Sequence, residues 1–186
     1  TAVVLDVAEA PLIRGNSLYT VVDGPSWTQA ESNAAALSGN LVTISDESEN
    51  QFVADSVLPL VAPEYAESWI GLSKSEGTGV WSWVNGETSD YRNWDTIHGE
   101  PNNIGGNEIY AHISSGREGK WNDISGPYFA PDGQPGSLIT GIAEIPLTLS
   151  ITQSAQPKEG AGVFTTSINL TAGTATSGNL AEGATV

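Results

Sequence analysis

Apolar and polar residues alternate along the chain in patterns that predict both helices and strands. A β-rich run at residues 18–22 ends in the turn-forming sequence 23–25. Apolar residues then recur at helical spacing over residues 27–37, directly after the capping residue Ser26. A second helical pattern spans residues 47–58. We therefore predict two helices between the first strand and the main group of strands.

The strands that follow are short and are separated by turn sequences. Residues 68–72 and 80–84 flank a glycine-containing turn, which is typical of a β-hairpin. Residues 41–44, 109–113 and 137–145 predict further strands. Together with the two helices, this pattern predicts an α+β domain with mixed antiparallel sheets.

A long polar stretch at residues 85–107 interrupts the predicted strands. Asn, Gly, Asp and Glu dominate it, and it shows little periodicity. Ordered loops of this length are uncommon in compact domains unless they carry a function. We therefore expect the functional residues in this loop and beside it.

The composition divides the chain into three parts. Residues 1–16 are interpreted as a lead-in or linker, and residues 17–146 as the folded domain. Residues 147–186 are rich in Thr, Ser, Ala and Gly with two strand-like runs, and we interpret this β-rich tail as the start of a β-sandwich repeat. The chain has no Met, which indicates a processed protein or a segment of a larger one.

Charge and cysteine content exclude several classes of function. The chain carries 22 Asp and Glu against 6 Lys and Arg, a formal net charge of −16 that would repel a nucleic acid. No apolar run is long enough for a membrane helix, so we expect no membrane insertion by this segment. With no Cys, disulfide bonds and thiolate metal ligands are excluded. Any metal site must use oxygen or imidazole ligands.

One group of polar residues stands out as a candidate metal site. It consists of Glu100, Asn102, Glu108, Asn122 and Asp123, which provide three carboxylates and two amide carbonyls. Ca²⁺ prefers such oxygen ligands, whereas Mg²⁺ demands a stricter geometry and zinc prefers imidazole or sulfur. A cis Glu100–Pro101 bond would turn the two flanking side chains the same way, and we predict that this bond is cis.

Residues 18–144 resemble a C-type lectin-like domain. The resemblance is carried by Trp27-Thr28-Gln29-Ala30 on the first helix, Leu41-Val42-Thr43-Ile44, the signature Trp69-Ile70-Gly71-Leu72, the long loop and Trp121-Asn122-Asp123. It implies the C-type lectin-like fold, with a long calcium-binding loop. It also implies that Glu100, Asn102, Glu108, Asn122 and Asp123 hold one principal Ca²⁺ ion at the spacing of the family.

The resemblance further implies a mode of sugar binding. In the family, two vicinal sugar hydroxyls bind the calcium ion and form hydrogen bonds with its ligands, which here would be Glu100, Asn102, Glu108 and Asn122. Glu-Pro-Asn is the family's variant for mannose, glucose, N-acetylglucosamine and, in a related pose, fucose. We therefore expect calcium-dependent binding of such glycans, for adhesion to cell surfaces or extracellular polysaccharide.

The sequence departs from the animal pattern at the four positions of the family's cysteines. Ala34, Tyr110, Gly126 and Ala143 stand there, so both usual disulfides are absent. This departure favours a bacterial origin, and we interpret the chain as an extracellular or cell-surface module of a large bacterial adhesin.

Two other interpretations compete with the lectin hypothesis. Glu100 and Glu108 could imitate the two carboxylates of a glycosidase, but the amides between them suit metal coordination and would be idle in that mechanism. We therefore predict a domain that is not an enzyme. The stronger alternative is a C-type lectin-like domain that binds a protein ligand, with calcium structural only. Neither His98 nor His112 has a sequence context that assigns it a role.

Overall fold

The computed structural model describes residues 12–61, 67–75, 77–126, 139–153, 166–172 and 178–179. Most of the predicted lead-in therefore lies outside the described residues. The strands are β1 (Leu12–Arg14), β2 (Ser17–Asp23), β3 (Asn40–Leu41), β4 (Glu67–Lys74), β5 (Trp81–Trp83), β6 (Tyr110–Ser114), β7 (Lys120–Ile124), β8 (Ile139–Gln153), β9 (Thr166–Ala172) and β10 (Gly178–Asn179). The helices are α1 (Trp27–Ala36) and α2 (Glu47–Phe52). No helix in the described ranges is long and apolar enough to cross a membrane.

The strands form a mixed sheet in the order β1-β2-β8-β4-β6-β7. β8 pairs antiparallel with β2 and parallel with β4, and β4, β6 and β7 continue antiparallel. β4 and β5 form the predicted hairpin, with Leu72 opposite Trp83. β2 and β8 therefore lie side by side, and β7, which carries the candidate ligands Asn122 and Asp123, lies at the other edge of the sheet.

Helix α1 begins at the predicted residue and packs one face on the sheet. The Ser26 hydroxyl accepts a hydrogen bond from the Gln29 amide at 3.2 Å, which satisfies one free donor of the first turn. Trp27, Ala30 and Ala34 form the buried face of the helix. This spacing of three and four residues is the one that the sequence pattern shows.

The second helical segment covers the predicted range but changes its geometry. Asp46 caps α2 by accepting the Glu49 amide at 2.8 Å. After Phe52 the chain continues as a π-helical turn, Val53–Val57, and then as a 3₁₀ turn, Leu58–Leu60. The Leu58 amide donates to the Val53 carbonyl, five residues earlier, which defines the π turn.

The strand predicted at residues 41–44 is shorter in the structure. β3 pairs with β8 only at Asn40 and Leu41. Val42 then donates its amide to Ile142 and accepts the amide of Gly71, both at 2.8 Å. Because its two backbone groups bind different strands, this segment crosses between β8 and β4 and does not continue along one of them.

β8 extends past the domain boundary predicted at Pro146. Residues 140–146 pair with β2, and residues 147–153 pair with β9. Pro146 lies where the strand changes partners, and the first amide after it, that of Leu147, donates to the Asn16 carbonyl at 2.7 Å. A proline is tolerated there because the ladder needs no donor from it. The domain division itself stays a prediction.

The core lies on both faces of the sheet in two clusters. Successive residues of one strand enter different clusters, as Ile142 and Ala143 of β8 show. The first cluster contains Val42, Ile70, Ile113 and Trp121 with the segment after α2, and the second contains Trp27 and Trp69 with α1. This period of two is the reason that both faces of β4 and β8 are apolar.

Tyr110 and Gly126 stand at two of the four positions expected to carry cysteines, and the Tyr110 ring packs at both. The Tyr110 ring stacks on Trp27 with a centroid distance of 4.9 Å. A Cβ atom on Gly126 would lie 3.0 Å from the same ring. The other two positions, Ala34 and Ala143, are fully buried in the second cluster. Packing therefore occupies the space that the two disulfides would take.

We predict that Gly71→Ala destabilises the domain by about 2 kcal/mol or more, since overpacking a core commonly costs roughly 1–3 kcal/mol. A Cβ atom at Gly71 would lie 2.4 Å from the Leu41 carbonyl oxygen, which the backbone fixes. Urea unfolding followed by tryptophan fluorescence measures the change. Gly77→Ala is the matched control, because nothing lies within 4 Å of its Cβ position. Equal stability of the two variants would contradict the packing argument.

Candidate metal and sugar-binding site

The long loop is anchored to β7 through Trp121. The backbone of Trp121 donates to Asn93 and accepts the amide of Asp95, both at 2.9 Å. Trp94 packs edge-on against the Trp121 ring with centroids 5.9 Å apart. Since Asn122 follows Trp121 directly, these contacts place the loop beside the candidate ligands of β7.

Asp123 fixes the second half of the loop. Its two carboxylate oxygens accept the backbone amides of Asn102 at 2.8 Å and Asn103 at 3.0 Å. The Ile104 amide in turn donates to the side-chain oxygens of Asn102 at 3.0 Å and Glu108 at 2.6 Å. Four of the five predicted ligands (Asn102, Glu108, Asn122 and Asp123) thus lie on β7 or in a hydrogen-bonded loop segment tied to it.

Glu100 approaches from the turn before this segment. The Glu100–Pro101 peptide bond is cis, as predicted. The side chain is only 5% exposed, and its Oε1 atom lies 3.5 Å from the Arg117 guanidinium. Its other oxygen, Oε2, is buried without a hydrogen-bond partner.

Two of the predicted ligands hold buried oxygens that no donor satisfies. They are Glu100 Oε2 and Asn122 Oδ1. A buried acceptor without a partner costs roughly 1–3 kcal/mol, more when it is charged. A hard cation is the partner that carboxylate and amide oxygens both prefer. The donor set therefore fits Ca²⁺.

The carboxylates do not converge as a cluster by themselves. Within the described ranges, no three His, Cys, Asp or Glu side chains form a group that could hold a metal ion. Asp123 and Glu108 turn their oxygens to backbone amides, and Glu100 leans toward Arg117. Like charges repel at short range, and each of the three carboxylates is paired with a donor of its own.

Electrostatics at the site disfavour the ionised carboxylates. Burial raises the pKa of Glu100; the Arg117 charge opposes this rise, while the charges of Asp123 and Glu108 add to it. Burial also raises the pKa of Glu108, against the hydrogen bond from Ile104. A divalent cation would stabilise both ionised forms, so the same electrostatics favour cation binding.

The sequence analysis did not identify Asp95 and Arg117. Asp95 is 3% exposed and accepts Arg117 at 2.8 Å and the His98 ring at 2.7 Å. Its backbone carbonyl accepts the amides of His98 and Glu100, both at 3.1 Å. Asp95 thus stabilises the turn that positions Glu100. No motif contains either residue, so only the folded geometry reveals the pair.

The family model of the lectin C-type domain matches residues 23–127, more than half of the chain. This chain belongs to the C-type lectin domain family. Members of this family are carbohydrate-binding domains without enzymatic activity, which confirms the prediction that this domain is not an enzyme.

Known animal proteins align with more than half of this chain. The chain is 34% identical to a perlucin-like protein of Mytilus galloprovincialis, over 59% of this chain and 68% of that protein. It is also 34% identical to ladderlectin of Oncorhynchus mykiss, over 58% of this chain and 55% of that protein. The chain therefore spans only about half of ladderlectin. Both relatives are animal proteins.

Solved structures confirm the C-type lectin fold and the α+β class. CEL-I from Cucumaria echinata superposes with a TM-score of 0.60 at 21% identity, over 71% of this chain and 91% of CEL-I. The cow C-type carbohydrate-recognition domain of CD23 superposes with a TM-score of 0.57 at 28% identity, over 74% of this chain and 94% of that domain. The fold is thus shared by distant members of the family.

His112 is the most unusual polar residue in the core of this C-type lectin domain. It is 2% exposed, and neither ring nitrogen has a hydrogen-bond partner. Its ring packs edge-on against Trp69 at a centroid distance of 6.4 Å. Burial, with a smaller contribution from the Arg117 charge, lowers the pKa of His112 to about 4.

We predict that His112 destabilises the domain in acid. The unfolded state takes up its proton near pH 6.5, whereas the folded state does so only near pH 4. The contribution of neutral His112 to the free energy of unfolding is therefore complete above about pH 6.5. It falls by about 3 kcal/mol as the pH drops to about 4. His112→Leu removes this contribution, so chemical denaturation across that range should show a flatter profile than the parent. Parallel profiles would contradict the prediction.

Proposed function

We propose that this domain binds glycans through a single Ca²⁺ ion held by Glu100, Asn102, Glu108, Asn122 and Asp123. The observation that carries the proposal is the pair of buried oxygens, Glu100 Oε2 and Asn122 Oδ1, that lack hydrogen-bond partners. Both belong to residues that the Glu-Pro-Asn and Trp-Asn-Asp motifs select independently. Carbohydrate binding is also the general function of the family.

The protein contributes orientation and hydrogen bonds to this function. Asp123 holds the Asn102–Asn103 backbone, so the amide of Asn102 stays beside β7. When bound, Ca²⁺ would accept two neighbouring sugar hydroxyls as ligands. Carboxylates of Glu100 and Glu108 would accept hydrogen bonds from these hydroxyls, while the amides of Asn102 and Asn122 would donate to them.

We propose mannose, glucose, N-acetylglucosamine or fucose as the sugar class. The intact Glu100-Pro101-Asn102 sequence supports this choice. So does the cow CD23 domain, 28% identical to this chain, whose structure was solved in the presence of a GlcNAc2Man3 oligosaccharide. A single sugar site binds weakly, and useful adhesion would need several copies of the domain.

We extend the proposal to the parent protein, in which residues 17–146 would be the lectin domain and residues 147–186 the start of a β-sandwich repeat. The absence of all cysteines supports a bacterial surface adhesin, although the relatives reported above come from animals. An extracellular or cell-surface location suits calcium sites that fill at roughly millimolar concentrations.

We predict that Glu100→Gln weakens Ca²⁺ binding by about tenfold or more, because a charged ligand near other carboxylates contributes several times RT to cation binding. Calorimetric titration of Ca²⁺ into chelator-stripped protein measures the dissociation constant. Glu87→Gln is the matched control, since that glutamate is exposed and its carboxylate accepts a hydrogen bond from the Ser45 hydroxyl. A parent protein that takes up no Ca²⁺ would refute the proposed site.

Sugar titrations with and without Ca²⁺ test the proposed ligand class. We predict that mannose or fucose binds only in millimolar Ca²⁺, and that Glu100→Gln combined with Asn102→Asp shifts the preference toward galactose. This exchange keeps the total charge, but it introduces an amide donor at position 100 and removes the amide donor at position 102. Asn85→Asp with Glu87→Gln is the control, because it makes the same exchange at the same spacing on an exposed turn.

Unchanged preference in the double variant would show that other loop residues select the sugar. If Ca²⁺ binds but no mannose-type or fucose-type glycan does, a protein ligand with structural calcium becomes the better hypothesis.

One observation favours a protein ligand as the second candidate. Ile97 and Ile104, on either side of Glu100 in the sequence, are 90% and 70% exposed and could pack against a protein surface.

A further inference from the structure

Arg117 connects two parts of the site that are distant in sequence. It ends the short 3₁₀ turn Ser115–Arg117 between β6 and β7. One of its nitrogens, Nη1, lies 2.8 Å from Asp95 Oδ2 and 3.5 Å from Glu100 Oε1. Both carboxylates are almost fully buried, whereas the arginine side chain is 31% exposed. The guanidinium therefore lies between solvent and two buried negative charges.

Asp95 depends on this arginine to stay ionised inside the protein. Burial opposes its charge, but the hydrogen bonds from Arg117 and His98 outweigh that effect and lower the pKa of Asp95. Its backbone carbonyl accepts the Glu100 amide, so Asp95 also holds the turn that places Glu100. Loss of the arginine charge would leave a buried carboxylate poorly compensated.

Lys74 provides a second positive charge near the candidate ligands. Its ammonium group lies 5.2 Å from the centre of the Trp81 ring, its partner across the β4–β5 hairpin. Its backbone amide donates to the carbonyl of Ile109, the residue after Glu108, at 2.7 Å. Lys74 is thus joined through its backbone to the neighbour of a candidate ligand.

We propose that the positive charges of Arg117 and Lys74 stabilise the carboxylates of the site when no ion is bound. The same two charges weaken the affinity of the site for Ca²⁺. This inference rests on the proposed calcium site. In this arrangement neither residue binds the ion or the sugar. Arg117 acts through the carboxylate of Glu100, and Lys74 acts through the carboxylate of Glu108.

The geometry determines the direction of the effect on calcium. A guanidinium 3.5 Å from a ligand oxygen lies well within the screening length of physiological salt, so it repels a divalent ion bound to the same carboxylate. Removal of one such charge should tighten Ca²⁺ binding on the order of tenfold. The same removal should lower the stability of the ion-free protein, because Asp95 and Glu100 lose their partner.

The test compares Arg117→Gln with the parent in two measurements. Thermal unfolding in chelator reports the ion-free stability, and calorimetry reports the dissociation constant for Ca²⁺. We expect a lower midpoint in chelator together with about tenfold tighter Ca²⁺ binding. If the arginine were merely structural, its loss would lower both the unfolding midpoint and the affinity for Ca²⁺. That result would overturn the proposal.

Arg14→Gln is a closely matched control. Arg14 has the same side-chain exposure of 31%, and it pairs with Glu49, whose side chain is 7% exposed, at 3.5 Å. The substitution changes the net charge by the same amount at a place away from the candidate ligands. We expect a lower midpoint in chelator but Ca²⁺ affinity close to that of the parent. Equal tightening in both arginine variants would overturn the proposal, because net charge alone would then explain it.

Lys74→Gln tests the charge effect without removing the partner of a buried carboxylate. If Arg117→Gln fails to fold, this variant alone tests whether a nearby positive charge weakens Ca²⁺ binding. We expect tighter Ca²⁺ binding with a smaller change in ion-free stability. Unchanged or weaker binding would overturn the proposal for both cations. If the parent protein itself binds no Ca²⁺, the proposed function fails first, and these variants would then show no calcium-dependent difference.

Discussion

The hydrogen bonds and ring contacts of Trp121 determine how the core, the long loop and the ligand-bearing strand fit together. The indole nitrogen donates to the Asn50 side chain in α2 at 2.8 Å. Its backbone holds Asn93 and Asp95 of the loop, and the Trp83, Tyr91 and Trp94 rings pack edge-on around it at centroid distances of 5.7 to 5.9 Å. Because Asn122 and Asp123 follow at once, a buried side chain with no ligand role defines the position of the site.

This arrangement explains how a domain without disulfides keeps a long polar loop in place. A disulfide would stabilise mainly by restricting the unfolded chain. Here the restriction is replaced by native contacts, such as the stacked rings of Tyr110 and Trp27. Asp123 adds two charge-assisted hydrogen bonds to the loop backbone, which are stronger than neutral ones. β7 therefore holds the middle of the loop at Asn93 and Asp95, and its later part at Asn102 and Asn103.

The sequence predicted most of the fold because its signals are local. Ser26 and Asp46 cap helices where the pattern places them, and Leu72 faces Trp83 in the predicted hairpin. The differences between the predicted and observed strands have non-local causes. The strand at residues 41–44 is shortened because Val42 binds two different strands, and β8 passes Pro146 because a second partner is available there. The five candidate ligands were found through motifs, whereas the Asp95–Arg117 pair, 22 residues apart, has no such signal.

The distribution of charge around the site follows from the same constraint. A chain with a net charge of −16 has few cations, yet Arg117 contacts one glutamate of the candidate site, and Lys74 is joined by its backbone to the residue next to another. Without them, buried carboxylates would repel one another in the ion-free protein. Cations fixed by the protein lower that repulsion at all times, whereas Ca²⁺ does so only when bound. At the proposed calcium site, a balance between fixed cations and Ca²⁺ would allow reversible binding, and Arg117, which lies beside Glu100 but in closer contact with Asp95, would contribute to that balance.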